Sequence, residues 1–190
     1  NEIDAVHSAG WGYGVSYTYS GSCSSEYPHN VTVENNDISN VNNGSEYDVA
    51  DDPSAAPYPG TCVVVDDDQD FASNFAEQLT VRYNRLSNGP DGSGIVNKDN
   101  DGELNATCNW WDDLSGPTHA ANPGGTGEVF SGDVDFAPWL IYSIDGDGTT
   151  HGFQLPEALS VTPTPGGSEN AADNDFRRLA NALECVADDQ

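Results

Sequence analysis

The chain has 190 residues, enough to bury a core and to form one domain with a short appendage. Its 32 acidic residues outweigh 5 basic ones, and the formal net charge is −27 at pH 7. No stretch of the sequence is long and apolar enough to span a membrane, and no basic patch could neutralise nucleic-acid phosphates.

The acidic excess is typical of a protein that works in concentrated salt. At ~1 M salt the Debye length falls to roughly 3 Å, so repulsion among surface carboxylates is largely screened. We therefore interpret the surface as halophilic and most of the Asp and Glu residues as hydrated surface charges.

The first predicted strand, near residues 13–19, carries three alternating tyrosines. Tyr13, Tyr17 and Tyr19 would share one face, because successive side chains of a strand point to opposite faces. Aromatic faces near acidic loops suit sugar rings, so these tyrosines are candidate ligand-binding residues. The alternative is that tyrosine simply favours strands.

One phrase is written twice in the chain. NVTVENNDISN begins at Asn30, and QLTVRYNRLSN begins 48 residues later at Gln78. Over residues 30–45 and 78–93, seven of sixteen positions are identical. Each copy alternates apolar and polar residues and then turns on Asn, Ser and Gly, which predicts a strand followed by a bend.

Shorter phrases extend this pattern at unequal spacings. GYGVSY, GTCVVV and GSGIVN resemble one another, and LNATCN resembles part of the first phrase; they begin at Gly12, Gly60, Gly92 and Leu104. Matching cores at unequal spacing are typical of a solenoid whose turns carry insertions. An antiparallel β-sandwich with a chance resemblance between two strands is the alternative.

A parallel β-helix would place three asparagines in one column. Asn36, Asn84 and Asn109 hold equivalent positions in the repeats, at a bend where Asn tolerates unusual backbone angles. In stacked turns their amides would bond to the neighbouring turn. This column is the main prediction that the fold can test.

Two acidic loops should adjoin if Gly60 and Gly92 open equivalent strands. Oxygen donors at alternate positions suit Ca²⁺, and NKDNDG resembles the first half of an EF-hand loop, although Cys108 stands where the bidentate Glu would be. The candidate cation ligands are Asp66, Asp68, Asp70, Asn97, Asp99 and Asp101. Plain acidic solvation of the surface is the alternative.

The same loops carry the candidate catalytic residues. Asp68 and Asp99 could serve as acid and base of a polysaccharide lyase or glycoside hydrolase. A lyase must also stabilise an enolate-like anion, for which the repeats offer only Lys98, Arg82 and Arg85. No nucleophile motif is present, so catalysis is the secondary hypothesis.

The segment after the repeats ends in an aromatic module. NATCNWWDDLSGPTHAANPGGTGEVFSGDVDFAPWL, at residues 105–140, resembles the closing module of secreted right-handed β-helix proteins of the pectate-lyase-like superfamily. The resemblance implies a right-handed parallel β-helix with a tryptophan-rich cap. Asp112 departs from the family pattern, which has Gly after the tryptophans. The bulk for the cap would come from Trp110, Trp111, Phe136, Pro138 and Trp139.

The remaining chain forms a smaller unit in this interpretation. We assign residues 1–140 to the repeats with their cap, and residues 141–190 to a loop and one C-terminal α-helix docked on the solenoid. The apolar residues of that helix share one face at helical spacing.

Cysteines and glycosylation motifs indicate an oxidising, extracellular compartment. Four cysteines without C-x-x-C spacing predict two structural disulfides, of which we favour Cys23–Cys62 and Cys108–Cys185. Candidate glycosylation sites are Asn30, Asn43 and Asn105.

Together these features predict an extracellular structural or recognition module of a cell surface, a filament or a virion in high salt. Its partners would be neighbouring protein subunits or surface glycans, and Ca²⁺ is the candidate cofactor.

Overall fold

The structure is a computed structural model that describes residues 2–4, 7–8, 13–19, 30–43, 60–67, 74–89, 92–99, 101–143, 149, 152–153 and 185. Within these ranges the chain is all-β, with one short 3₁₀ helix at Ala76–Gln78. None of the helical segments described is long and apolar enough to cross a membrane.

Fourteen strands occur in the described part of the chain. They are β1 (Glu2–Asp4), β2 (His7–Ser8), β3 (Tyr13–Tyr19), β4 (Val31–Glu34), β5 (Asp37–Ser39), β6 (Asn42–Asn43), β7 (Thr61–Asp67), β8 (Leu79–Arg82), β9 (Arg85–Ser87), β10 (Ser93–Asn97), β11 (Leu104–Asn105), β12 (Pro117–Thr118), β13 (Gly127–Ser131) and β14 (Val134–Asp135).

These strands form four parallel sheets. Their orders are β1-β5-β9, β12-β13-β10-β7-β3, β14-β11-β8-β4 and β2-β6. Every pairing between named strands is parallel, so the alternative of an antiparallel sandwich is wrong. Parallel neighbours need long connections, which the segments between the repeats supply.

The register of the sheets reproduces the spacing of the sequence repeat. Strands β3, β4 and β5 pair with β7, β8 and β9 at a constant offset of 48 residues, as in Val33 opposite Val81. The offsets of 32 and 25 residues also hold, with Ile95 opposite Val63 and Asn105 opposite Thr80. The predicted equivalence of the phrases is therefore confirmed.

Inward-facing residues of the sheets build one apolar core. Leu79, Val81 and Leu86 are fully buried there, because alternate side chains of short strands share one face. The core consists of Tyr17, Ile38, Val41, Cys62, Val63, Val65, Phe75, Ala76, Leu79, Val81, Leu86, Ile95, Leu104, Ala106, Trp111, Phe130 and Val134.

The first bend, defined here as residues 35–36, 83–84 and 108–109, has the same backbone in each repeat. Asn35, Tyr83 and Cys108 adopt φ values of 57°, 54° and 57°, in the left-handed region that few non-glycine residues enter. Asn follows in each case, and the three asparagines are buried. Cooperative bonding between repeats holds this uncommon backbone in place.

The asparagines of the first bend form the predicted column. Asn36 donates its backbone N–H and its Nδ2–H to Oδ1 of Asn84, at 3.0 and 2.9 Å. Asn84 makes the same two bonds to Oδ1 of Asn109, both at 3.0 Å. The prediction that these residues are neighbours is confirmed.

The aromatic residues assigned to the cap divide between two clusters. Trp111 is fully buried in the main core, and Phe136 and Trp139 pack against it. Trp110 belongs to a second cluster with Tyr83, Cys108, Leu140, Phe153 and Cys185. Asp112 has a φ of 64°, which explains why glycine suits that position in the family the sequence resembles.

The C-terminal segment is fastened to the first bend. Cys108 and Cys185 form a disulfide with a Cα–Cα distance of 5.4 Å, which confirms one predicted bridge. The Tyr83 hydroxyl donates to the Cys185 carbonyl at 3.0 Å. Apart from Cys185, the predicted C-terminal helix lies outside the described residues.

Candidate functional site

The predicted cation site centres on the residues that follow β10. Asn97 and Asp99 are buried, with exposures of 4% and 5%. Asn97 accepts the Asp99 N–H through Oδ1 and donates through Nδ2 to the carbonyls of Gly102 and Asp133. The amide side chain therefore fixes the turn and ties it to the next repeat.

Asp99 directs its carboxylate at the backbone of its own chain. Its Oδ2 accepts the N–H of Ala76 at 2.6 Å, and its Oδ1 accepts the N–H of Asp101 at 3.4 Å. Burial is the largest influence on this group and raises the pKa of the Asp99 carboxyl. Asp101 accepts the N–H of Asn74 at 3.2 Å in the same corner.

Asp66 lies on the neighbouring strand, as predicted, but beside a cation of the chain itself. Its Oδ2 accepts from Lys98 Nζ at 2.8 Å, and this bond is the main reason that the pKa of Lys98 is raised. Asp68 and Asp70 lie outside the described residues. The described part of the chain contains no group of three or more His, Cys, Asp or Glu side chains arranged around a metal.

The arrangement of these acids brings Asp66 and Asp99 onto adjacent strands without making them point at a common centre. Calcium binding at this corner stays a prediction. The pairing of Asp68 with Asp99 as acid and base also stays one, because Asp68 is not described.

The tyrosines of β3 occupy different environments. Tyr17 is 9% exposed, and its ring stacks on Phe75 with centroids 4.3 Å apart and planes 6° from parallel. Tyr13 is half-buried and interacts with Lys98, and nothing is described of the Tyr19 side chain. The position of Tyr17 favours packing over ligand binding at that residue, because Phe75 covers one face of its ring.

The second predicted disulfide is a correction. Cys62 is a free thiol that donates to the Ile38 carbonyl at 3.5 Å, so the predicted Cys23–Cys62 bridge is wrong. Cys62 is fully buried in the core, and burial raises the pKa of its thiol. Cys23 lies outside the described residues. Even counting of cysteines missed that a small buried thiol also serves as an apolar core residue.

The candidate glycosylation sites differ in what the structure describes. Asn105 is exposed on β11, and its Oδ1 accepts from the N–H and the hydroxyl of Thr107. Asn30 is exposed with a φ of 55°, and the Asn43 side chain is not described. Accessibility at Asn105 and Asn30 is compatible with modification, which stays a prediction.

A row of aromatic rings lies beside the last repeat. His119 stacks on Phe130 at 4.2 Å, Phe130 contacts Phe136 at 5.1 Å, and Phe136 contacts Trp139 at 6.0 Å. The Trp139 indole N–H donates to the Leu114 carbonyl at 3.3 Å. These contacts fill the end of the core with rings, which is the covering role expected for the cap.

Sequence reasoning missed a second buried acid, Glu128 on β13. Its Oε1 accepts the N–H groups of Asn88 and Gly89 at 2.5 and 2.8 Å. Desolvation by burial is the main cause that raises the pKa of Glu128 to about 7. The two backbone bonds act in the opposite direction but do not offset the burial.

A signal for Glu128 was present in the strand pattern. Glu128 and Phe130 alternate inward, while Val129 between them is 40% exposed. An acid in phase with a buried Phe, and an aliphatic residue out of phase, reverse the usual binary pattern of a half-buried strand. Such a reversal marks a position whose polar side chain has an interior partner.

Comparisons with known proteins give no further identification. No family model matches the chain, and neither a curated protein nor a solved structure matches it significantly.

Proposed function

We propose that the chain is a right-handed parallel β-helix that serves as an extracellular structural or recognition module in a high-salt environment. Its setting would be a cell surface, a filament or a virion. The observation that carries the proposal is the repeated register: strands 48 residues apart pair in parallel, and buried asparagines bond from repeat to repeat.

The use of the buried polar groups supports a structural role. Asn84, Asp99 and Glu128 all bond to backbone groups of the same chain. Each of them fastens one repeat or connecting segment to another, so their chemistry is committed to holding the fold. A polysaccharide-degrading enzyme would instead need acids that face a cleft.

Charge pairing between neighbouring strands is consistent with a rod in salt. Each Lys or Arg of the described ranges pairs with an acid from the adjacent strand. The pairs are Arg82–Glu34 at 3.1 Å, Arg85–Asp37 at 3.3 Å and Lys98–Asp66 at 2.8 Å. The few basic residues are thus placed where they relieve repulsion between repeats.

The partner in this proposal is a neighbouring protein subunit. Among the described strands, β3 pairs only with β7 and β4 only with β8, so each has one unpaired edge. An unpaired strand edge presents N–H and C=O groups that another strand can join. Glycan recognition through Tyr13 or Tyr19 is the other form that recognition could take.

Self-association in salt tests the proposal. Sedimentation velocity across a series from dilute buffer to molar NaCl should show assembly that grows as repulsion is screened. The double change Ser16→Lys and Thr18→Lys, at two exposed positions of β3, should reduce assembly. Ser131→Lys, an exposed change on the internal strand β13, is the matched control.

A monomer at every salt concentration would contradict the assembly role. Turnover of acidic polysaccharides that Asp99→Asn abolishes, in a variant that keeps the wild-type circular dichroism spectrum, would instead establish the enzymatic alternative. A calcium titration in the same buffers, read as a rise in the unfolding temperature, tests the candidate cofactor.

A further inference from the structure

Glu128 lies at a contact between the last repeat and the one before it. β13, which carries Glu128, pairs with β10, and the Glu128 side chain reaches residues 88–89, which follow β9. Asn88 also donates through Nδ2 to the Gly60 carbonyl at 2.6 Å. Three segments of the chain therefore meet at this one carboxyl group.

Two oxygens in this contact have no hydrogen-bond partner. Oε2 of Glu128 and Oδ1 of Asn88 are both buried, in residues that are 6% and 8% exposed. Both atoms are acceptors when Glu128 is ionised, and a buried unsatisfied acceptor costs about 1–3 kcal/mol. The two residues are already joined by the bond from the Asn88 N–H to Glu128 Oε1.

We infer that Glu128 is a proton-binding switch: it carries a proton on Oε2, donates it to Oδ1 of Asn88, and releases it to solvent when the contact loosens. One proton supplies the single donor that both orphaned oxygens lack. The neutral acid keeps Oε1 free to accept the N–H groups of Asn88 and Gly89, so no existing bond is lost.

The surroundings of Glu128 oppose its ionisation. Asp112, after Trp111, is a second carboxylate whose charge raises the pKa of Glu128. Cys62 on β7 is a thiol with a raised pKa, so it is neutral, and β10 brings only Gly94 against the Glu128 Cβ. Asp37, which acts on Cys62, is paired with Arg85.

The sign of the pH dependence follows from these positions. The pKa of Glu128 in the folded chain is about 7, above its ordinary value of 4.5, so the folded state binds the proton more tightly. The stabilisation is complete below pH 4.5 and is lost as the pH rises through about 7. Above that range the charge faces Asn88 Oδ1 and loosens the contact.

Titration of the intact wild-type chain by NMR at fixed high salt is the direct test. We expect the amide signals of Asn88 and Gly89 and the Glu128 carboxyl carbon to shift together with a midpoint near pH 7. A common midpoint near 4.5, the ordinary value for Glu, would overturn the inference. This measurement requires no variant.

Glu128→Gln provides an independent test, because its amide donates to Asn88 Oδ1 at every pH. Between pH 4.5 and 7 the unfolding equilibrium constant of the wild type should change, relative to this variant, by up to about tenfold per pH unit. Glu77→Gln, at an exposed position, is the control and should keep the wild-type slope. An unchanged slope in Glu128→Gln would contradict the switch.

Discussion

The two bends that flank β5 and β9 begin from the same residues and end differently. The first bend holds Asn36 and Asn84, and the second bend, defined here as residues 40–41 and 88–89, holds Asn40 and Asn88 at the same offset of 48. Asn36 and Asn84 bond to one another in a buried column. Asn40 is exposed with a φ of 51°, whereas Asn88 is buried against Glu128.

The difference follows from the lengths of the connections. Two residues separate β4 from β5, and two separate β8 from β9, so the first bend superposes in both repeats. After the second bend the chain takes residues 44–60 to reach β7 in one repeat and only 90–92 to reach β10 in the other. A repeated asparagine forms a column only where both flanking strands hold their register.

The disulfide separates the two bends most strongly. Cys108 belongs to the first bend, whereas the free thiol Cys62 lies beside the second. Replacing both Cys108 and Cys185 by Ser should lower the free energy of unfolding by about 4 kcal/mol, because the bridge closes a separation of 77 residues. Urea denaturation at constant molar salt measures the loss.

Cys62→Ala is the control for the disulfide and should cost about 1 kcal/mol, since it removes one small buried group. If the double Ser variant lost no more than this control, the disulfide would not be what fastens the first bend.

The next largest effect is expected from one substitution made in both bends. Asn84→Asp should cost about 3 kcal/mol, because it puts a carboxylate oxygen where Nδ2 now donates to the carbonyls of Val33 and Arg82. Asn40→Asp adds the same charge at an exposed position and should stay within about 0.5 kcal/mol. Equal losses in chemical denaturation would mean that the column contributes nothing specific.

Position within the column gives a smaller effect. Asn36 donates to Asn84 and to the Glu34 carbonyl but accepts nothing from another member of the column. Asn36→Ala should therefore cost about 1 kcal/mol, less than Asn84→Asp. Thermal unfolding under the same salt conditions ranks the two variants, and the reverse order would refute the graded column.

The smallest effect is expected from a charge pair beside the first bend. Arg82 and Glu34 join β8 to β4, but both side chains are more than a third exposed, at 37% and 41%. Arg82→Gln should change stability by less than about 0.5 kcal/mol in molar salt. A larger loss at molar salt than in dilute buffer would contradict a screened surface pair.

Much of the fold was readable because the repeat carries its own register. The copies at Asn30 and Gln78 predicted the offset of 48, and the pairing of Val31 with Leu79 confirms it. The disulfide between Cys108 and Cys185 was also predicted correctly. A local pattern suffices here because a parallel ladder brings equivalent residues together at every step.

The polar contacts were less predictable because their partners are distant in the chain. The burial of Tyr17 depends on Phe75, and the free thiol of Cys62 depends on its place in the core. The acidic loop after β10 was located correctly on a strand next to β7, but the direction of the Asp99 carboxylate towards Ala76 could not be read from spacing.

By itself the sequence determined the all-β class, the offsets between strands and the asparagine column, because each follows from residues repeated at fixed intervals. Only the tertiary structure decided which acids turn inward. Glu128 faces the core because β13 lies against the second bend, where two backbone N–H groups need an acceptor. That need arises from segments some 40 residues apart, and no local pattern records it.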